Sequence, residues 1–155
     1  MAVDAVTAPR PTLVLGSEAD TGIRRHGREA YPHECCGALI GRDQLVTEAL
    51  ALPNSTEKGP RRRFLVRPVD YRAAERRAAQ LGAELVGFYH SHPDRSAQPS
   101  ARDLELAWEP DLVWLVTSVL AGKAVLTSAN AIERAGERQR FCEIPLHTSD
   151  WTADY

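Results

Sequence analysis

Two histidines separated by one residue, His90 and His92, begin the short run that most constrains this chain, because Ser100 and Asp103 follow closely. On an extended strand, side chains at i and i+2 point to the same side, so both imidazoles can reach one ion. Asp103 can supply a third ligand. Three protein ligands leave the fourth position of a tetrahedral zinc ion open for water, as in hydrolytic zinc sites. The run therefore predicts a catalytic site with one Zn²⁺ per chain.

The same residues also have an ordinary interpretation. An isolated His-x-His pair on a strand is usually a pair of polar residues, and Ser100 to Asp103 fits a capping box at a helix start. A third element favours the metal site: Glu34 lies just before Cys36–Ile40, a short apolar run that is typical of a strand. The two interpretations are compatible, because Ser100 and Asp103 can cap a helix and still belong to the site.

With Glu34 upstream, the spacing His-x-His-x7-Ser-x2-Asp resembles the signature of the JAMM (MPN+) metalloprotease family, and the resemblance extends from about Leu13 to Leu120. It implies that His90, His92 and Asp103 bind zinc, that Glu34 is the general base, and that Ser100 stabilises the tetrahedral intermediate. These residue types suit those roles. A carboxylate beside an activated water can take its proton, and a hydroxyl can donate to a developing oxyanion.

The length of the chain indicates which branch of the family it resembles. The 52 residues after Asp103 look too short and too rich in strands to hold the insertions of eukaryotic deubiquitinating members. The compact form is similar to bacterial members that process the C-terminal tails of ubiquitin-like sulfur carrier proteins, one type of which removes cysteine. The resemblance thus implies a partner protein that ends in Gly-Gly, and hydrolysis of the amide bond after that tail.

Three alternatives stay open at this point. A non-catalytic MPN scaffold that only binds a partner would be expected to have lost metal ligands, and none is lost here. A nucleoside deaminase needs H-x-E together with P-C-x-x-C, and the second motif is absent. A peptidase of the same superfamily acting on cell-wall, phage-tail or other peptides would normally come with an export signal or an attached domain, and neither is visible.

Composition places the chain among single globular domains. It has 155 residues, 43% of them hydrophobic, with a formal net charge of −2. That balance gives no electrostatic reason to expect nucleic acid as a partner. Three cysteines without a C-x-x-C pair fit a reducing cytoplasm, and Cys35, Cys36 and Cys142 are expected to be small core residues.

No segment of the sequence predicts a membrane partner. The N-terminus lacks the basic and apolar regions of a signal peptide, and Leu112–Leu120 is far shorter than the roughly 20 residues of a membrane helix. A soluble, cytoplasmic enzyme is expected, and a homo-oligomer is compatible with the sequence.

The pattern of apolar residues and turn signals predicts an α/β fold: one three-layer domain with a mixed central sheet flanked by helices. The family resemblance implies that this is the JAB/MPN, cytidine-deaminase-like architecture. The domain is expected over residues 12–147, with tails at 1–11 and 148–155. Strands are predicted at Thr12–Leu15, Cys36–Ile40, Leu45–Leu52, Phe64–Val66, Glu84–His90, Leu112–Val119, Ala124–Asn130 and Phe141–Leu146. Helices are predicted from Ser17, with a capping box to Asp20, to before Pro32, from an Asp70 N-cap to Leu81, and from Ala101 to about Trp108.

Arginines cluster outside the motif, at Arg61–Arg63 and at Arg72 and Arg76 on one predicted helix face. They indicate either a solvated surface or a dock for an acidic partner. His33 adjoins Glu34, which raises the possibility that it approaches the site.

Overall fold

The computed structural model describes residues 12–57, 59–107 and 111–149. In chain order its elements are β1 (Leu13–Gly16), α1 (Ser17–Ala30), β2 (Cys36–Arg42), β3 (Leu45–Leu52), α2 (Pro68–Gln80), β4 (Glu84–Pro93), α3 (Ala101–Leu106), β5 (Val113–Leu120), β6 (Lys123–Ala135), β7 (Arg138–Ile144) and β8 (Leu146–Ser149). The strands form one sheet in the order β7-β6-β5-β4-β2-β3-β1-β8.

The sheet is mixed, as the sequence predicts. Strand β1 is parallel to both β3 and β8, and β4 is parallel to β5. The other neighbours, β2 with β3 and β4, and β6 with β5 and β7, are antiparallel. Three of these four antiparallel pairs are local hairpins, whereas β2 and β4 pair although β3 and α2 lie between them in the chain. Helix α3 lies in the crossover between the parallel strands β4 and β5.

Alternate side chains of the central strands contact different helices. Leu39, Tyr89 and Leu115 belong to the cluster that contains Ile23 of α1. Their neighbours Ala38, Phe88 and Trp114 belong to the cluster that contains Ala74 of α2. Because successive side chains of a strand point to opposite faces, α1 and α2 cover opposite faces of the sheet. The three-layer prediction is confirmed.

The helix starts differ from the predicted ones. Helix α1 has Gly16 at its N-cap and no side-chain capping bond, so the predicted capping box is wrong. The carboxylate of Asp20 instead accepts from Arg24 Nε at 3.1 Å. Helix α2 begins at Pro68 rather than after Asp70, because proline suits the first helical position and needs no hydrogen bond there.

The predicted strand at 64–66 is also wrong. The backbone of Leu65 bonds to the preceding loop, with its N–H donating to Asn54 Oδ1 and its carbonyl accepting from Ser55 N. Residues 64–66 join no strand of the sheet in the part of the chain that the structure describes. Phe64 is nevertheless buried.

The end of the chain forms two strands where one was predicted. Pro145 separates β7 from β8, and its carbonyl accepts from Leu13 N. Strand β8 then pairs with β1 and takes in Thr148 and Ser149, which the sequence assigned to a tail. The predicted end of α3 near Trp108 lies outside the described residues.

The remaining expectations concern the core and membranes. All three cysteines are buried, as predicted. Among the residues that the structure describes, no helix is long and apolar enough to cross a membrane.

Candidate metal centre

Strand β4 brings the two histidines into the interior. It lies between β2 and β5, with His90 opposite Cys36 on one side and Val116 on the other. His90 and His92 are only 1% and 2% exposed, and their spacing puts both on the sheet face that Phe88 shares.

Three potential ligand atoms converge. His90 Nε2 lies 3.1 Å from His92 Nε2, and the two nitrogens lie 3.1 and 3.0 Å from Asp103 Oδ2. A tetrahedral zinc ion with bonds of about 2.0–2.1 Å holds its ligand atoms roughly 3.3 Å apart. Because the three atoms already form a triangle of nearly that size, these residues fit a zinc ion.

The tautomer of His92 is set by its second nitrogen. His92 Nδ1 lies 2.9 Å from the carbonyl oxygen of Ser96. A carbonyl can only accept, so Nδ1 carries the proton and Nε2 keeps a free lone pair. This is the form of histidine that binds a metal ion.

His90 is held mainly by packing. Its ring stacks on Phe64, with centroids 4.4 Å apart and an interplanar angle of 23°. Burial lowers the pKa of His90, although the hydrogen bond and charge of Asp103 act in the opposite direction. The ring therefore stays neutral to a lower pH than an exposed histidine.

Asp103 joins the centre to helix α3. Its side chain accepts from the backbone N–H of Ser100 at 2.7 Å, and its own N–H donates to Ser100 Oγ at 3.1 Å, which completes the predicted capping box. Burial opposes ionisation of Asp103, but its polar contacts with His90 and His92 and the hydrogen bond from the Ser100 backbone outweigh it and hold the pKa below its usual range.

Glu34 is the fourth member of the cluster. It is 2% exposed, and one atom from each of Glu34, His90, His92 and Asp103 lies within 4.8 Å of the others. Burial raises the pKa of Glu34 to about 8, against the opposing charge of Arg95. Neither carboxylate oxygen has a hydrogen-bond partner among the described residues. Its carboxylate is thus a stronger proton acceptor than an ordinary glutamate.

The backbone at Glu34 is fixed from two sides. Its N–H donates to the Pro60 carbonyl at 2.7 Å, and its carbonyl accepts from Asn54 Nδ2 at 3.1 Å. The next residue, Cys35, donates its N–H to Ser91 Oγ at 2.8 Å. Glu34 is therefore held between Asn54 and Pro60 on one side and the strand that carries the histidines on the other.

Arg95 enters the centre without having been predicted. Its Nη2 lies 3.3 Å from Glu34 Oε2. The only sequence signal was its position in the loop between His92 and Ser100. Asn54 and Phe64 were missed as well, and nothing in their local sequence indicates that Asn54 bonds to Glu34 or that Phe64 stacks on His90.

Other predicted residues stay outside the centre. His33 is exposed and does not belong to the four-residue cluster, although it adjoins Glu34. Arg61, Arg62, Arg72 and Arg76 are exposed and Arg63 is half-buried. The structure brings together Glu34, His90, His92 and Asp103, with Ser100 bonded to the last of them.

Comparison with curated proteins finds several relatives of this chain. The chain is 35% identical over 111 residues to a protein of Haloferax volcanii named desampylase, covering 68% of this chain and 80% of the relative. It is 30% identical over 108 residues to the CysO-cysteine peptidase of Mycobacterium bovis, covering 68% and 73%. It is also 33% identical over 96 residues to tail tip assembly protein K of Escherichia phage N15. That match covers 62% of this chain but only 37% of the phage protein.

Solved structures of other proteins share this fold. A protein of Desulfitobacterium hafniense with a solution structure superposes with a TM-score of 0.78 at 28% identity, covering 91% of this chain and 95% of that one. The family model described as prokaryotic homologs of the JAB domain matches residues 18–133. The chain therefore belongs to the prokaryotic JAB family, within the JAMM/MPN+ metallopeptidases.

Proposed function

We propose that this chain is a zinc-dependent hydrolase of the amide bond that follows the C-terminal Gly-Gly tail of a ubiquitin-like carrier protein. The observation that carries the proposal is the convergence of His90, His92 and Asp103 beside the buried carboxylate of Glu34. Three ligands plus a separate base are the set that a hydrolytic zinc site needs.

Zinc would be held by His90 Nε2, His92 Nε2 and Asp103 Oδ2. When bound, the ion supplies a Lewis acid for the scissile carbonyl and lowers the pKa of its bound water to about 7. Two of these ligands are oriented by hydrogen bonds. Asp103 accepts from the backbone N–H of Ser100, and His92 Nδ1 donates to the Ser96 carbonyl. Such outer partners fix the direction of a ligand.

Glu34 is the proton carrier in this proposal. Its carboxylate accepts a proton from the attacking water as the new C–O bond forms at the scissile carbonyl carbon. The same proton then passes to the leaving nitrogen as the C–N bond breaks. The products are a carrier tail that ends in a carboxylate and a free amine. The raised pKa of Glu34 suits both steps, because the group must accept and then release the proton near neutral pH.

Ser100 has a donor available for the oxyanion. Its Oγ accepts a hydrogen bond from Asp103 N, which leaves the hydroxyl hydrogen free to donate. A donor aimed at the charge that develops on the carbonyl oxygen stabilises the transition state. Ser100 can therefore cap α3 and take part in the reaction at the same time.

A cavity beside the centre suits a slim tail. It has a volume of about 290 Å³ and is lined by Thr56, Arg63, Phe64, Leu65, Arg102, Glu105 and Leu106. Because Phe64 stacks on His90, this cavity adjoins a metal ligand. Two glycines without side chains can pass close to the ligands where bulkier residues cannot.

The nature of the substrate is supported by the relatives. One is named a desampylase and another a CysO-cysteine peptidase, which points to carrier conjugates and to cysteine as one released group. The phage tail tip protein favours a second candidate, a peptidase acting on other peptides.

The test is a mass measurement. Zinc-loaded protein is incubated with a carrier whose Gly-Gly terminus is amide-linked to cysteine, with and without a chelator. We expect loss of the cysteine mass only in the zinc-loaded sample, and recovery after zinc is added back. An intact adduct, together with cleavage of unrelated peptides, would favour the second candidate.

A further inference from the structure

We infer that Arg95 binds the free α-carboxylate of the amino acid released from the carrier tail, and so restricts the enzyme to adducts of a single residue. This inference rests on the proposed function. It concerns which leaving groups the centre accepts.

The guanidinium of Arg95 presents an unused binding edge to the centre. The Arg95 side chain is 32% exposed, but its Nε and Nη2 atoms are buried and have no hydrogen-bond partner among the described residues. Nη2 lies 3.3 Å from Glu34 Oε2 without the geometry of a hydrogen bond. Both oxygens of Glu34 likewise lack such a bond. Glu34 therefore attracts Arg95 electrostatically but does not satisfy its donors.

In another arginine of this chain, the edge formed by Nε and Nη2 binds a carboxylate. Arg77 donates from Nε and Nη2 to the two oxygens of Glu48, at 3.0 and 2.9 Å. The planar fork of arginine matches the two oxygens of a carboxylate, and such paired, charge-assisted bonds are among the stronger hydrogen bonds in proteins. A buried edge of this kind without an acceptor is costly, so a carboxylate ligand is the chemistry that it fits.

The loop holds Arg95 in place. Its carbonyl oxygen accepts from the Ser118 hydroxyl. The preceding residue, Asp94, accepts from Tyr31 Oη at 2.6 Å and from Ala121 N at 2.8 Å. The following residue, Ser96, is bonded through its carbonyl to His92. Arg95 is therefore anchored on both sides, as a recognition residue should be.

Its distance from the reacting atoms selects the leaving group. The nitrogen released in hydrolysis must come within reach of Glu34, which delivers its proton. In a single amino acid, the α-carboxylate carbon lies only about 2.5 Å from that nitrogen, across two bonds. The Arg95 edge lies beside Glu34 and can meet this carboxylate. In a lysine linked through Nζ, the long side chain carries the α-carboxyl group away from the scissile bond.

The experiment compares two tail peptides that end in Gly-Gly-Cys, one with a free carboxylate and one with a carboxamide. Both carry the same thiol, so any contact between sulfur and metal cancels in the ratio of kcat/KM values. We expect wild-type protein to prefer the acid by about tenfold or more, the range for a hydrogen bond to a charged group. Arg95→Gln should bring the ratio close to one.

Two further variants make the result specific. Arg25→Gln removes an exposed arginine of helix α1 that lies outside the centre, and it should leave the acid-to-amide ratio at the wild-type value. Arg95→Lys keeps the charge without the fork and should lose most of the preference. Zinc content and melting temperature will show whether Arg95→Gln is folded. If it is not, Arg95→Lys alone tests the inference.

The outcomes separate the two claims. Cleavage of acid and amide at equal rates by wild-type protein, or an unchanged ratio in both Arg95 variants, would overturn the role of Arg95 and leave the proposed function intact. Absence of cleavage of either peptide and of the full carrier adduct would overturn the proposed function, and this inference with it.

Discussion

The Asp103 oxygen that faces the two histidines also accepts the backbone N–H of Ser100, at 2.7 Å, while Ser100 Oγ accepts the N–H of Asp103 in return. One pair of residues thus starts helix α3 and orients a proposed metal ligand. The structure shows the capping box, and its geometry is compatible with the site interpretation of the same pair.

Removing the Ser100 hydroxyl should separate its two roles. Ser100→Ala loses the cap, at a cost of about 0.5–2 kcal/mol in the free energy of unfolding. If the hydroxyl also donates to the oxyanion, kcat should fall by about 10²–10³-fold. Ser100→Thr keeps a hydroxyl and is the control. Denaturation and turnover are measured on all three proteins, and a loss of stability with unchanged kcat would restrict Ser100 to capping.

The three proposed ligands should each be needed for metal binding. Purified protein should hold about one zinc ion per chain, and His90→Ala, His92→Ala or Asp103→Ala should each release most of it. His33→Ala, an exposed histidine beside Glu34, is the matched control and should keep the metal. Zinc is counted by inductively coupled plasma mass spectrometry. Full retention in all three ligand variants would rule out this site.

Helix α2 presents Arg72 and Arg76 to solvent, which allows a test of carrier docking. Reversing both charges to glutamate should raise KM for a folded carrier adduct and leave a short tail peptide nearly unaffected. Added salt should weaken the carrier reaction more, because exposed charges are screened over about 8–10 Å. Reversal of the exposed Arg25 and Arg28 on α1 is the control. Equal losses on both substrates would assign Arg72 and Arg76 to the fold.

His26 should contribute to the acid sensitivity of the fold. Its Nδ1 lies 2.8 Å from Tyr89 Oη, and burial lowers its pKa despite the opposing charge of Glu29. A histidine with a lowered folded-state pKa binds protons more tightly when unfolded. Its stabilisation is therefore complete above about pH 6.5, the unfolded value, and is lost as the pH falls through the folded-state pKa.

The corresponding measurement uses chelated protein, so that metal release does not contribute. The free energy of unfolding should decrease less between pH 7 and pH 5 in His26→Gln than in the wild type. Parallel pH profiles for the two proteins would show that His26 does not cause the acid sensitivity.

Local sequence patterns predicted what depends on near neighbours. The alternation in β4 and the three-residue spacing from Ser100 to Asp103 were sufficient to predict that both histidines share one face and that a capping box starts α3. The family spacing added Glu34. The features of β4 and of the start of α3 need only strand and helix geometry, so they can be predicted without tertiary information.

The missed features depend on contacts between distant segments. Phe64 was expected in a strand, but stacking on His90 and the bonds of Asn54 to Leu65 N and the Arg63 carbonyl hold that segment as a loop. Arg95 reaches Glu34, 61 positions away in the chain, through a loop anchored by Ser118. No local sequence pattern predicts contacts between segments so far apart in the chain.

Glu34→Gln tests the central claim most directly, because it removes the proposed base and keeps nearly the same shape. Zinc content and turnover are measured on the same preparation. We expect about one zinc ion per chain, as in the wild type, with kcat lower by roughly 10²–10⁴-fold, the usual range for a general acid–base. Loss of zinc would make Glu34 a ligand, and undiminished turnover with full zinc would contradict its role as the proton carrier.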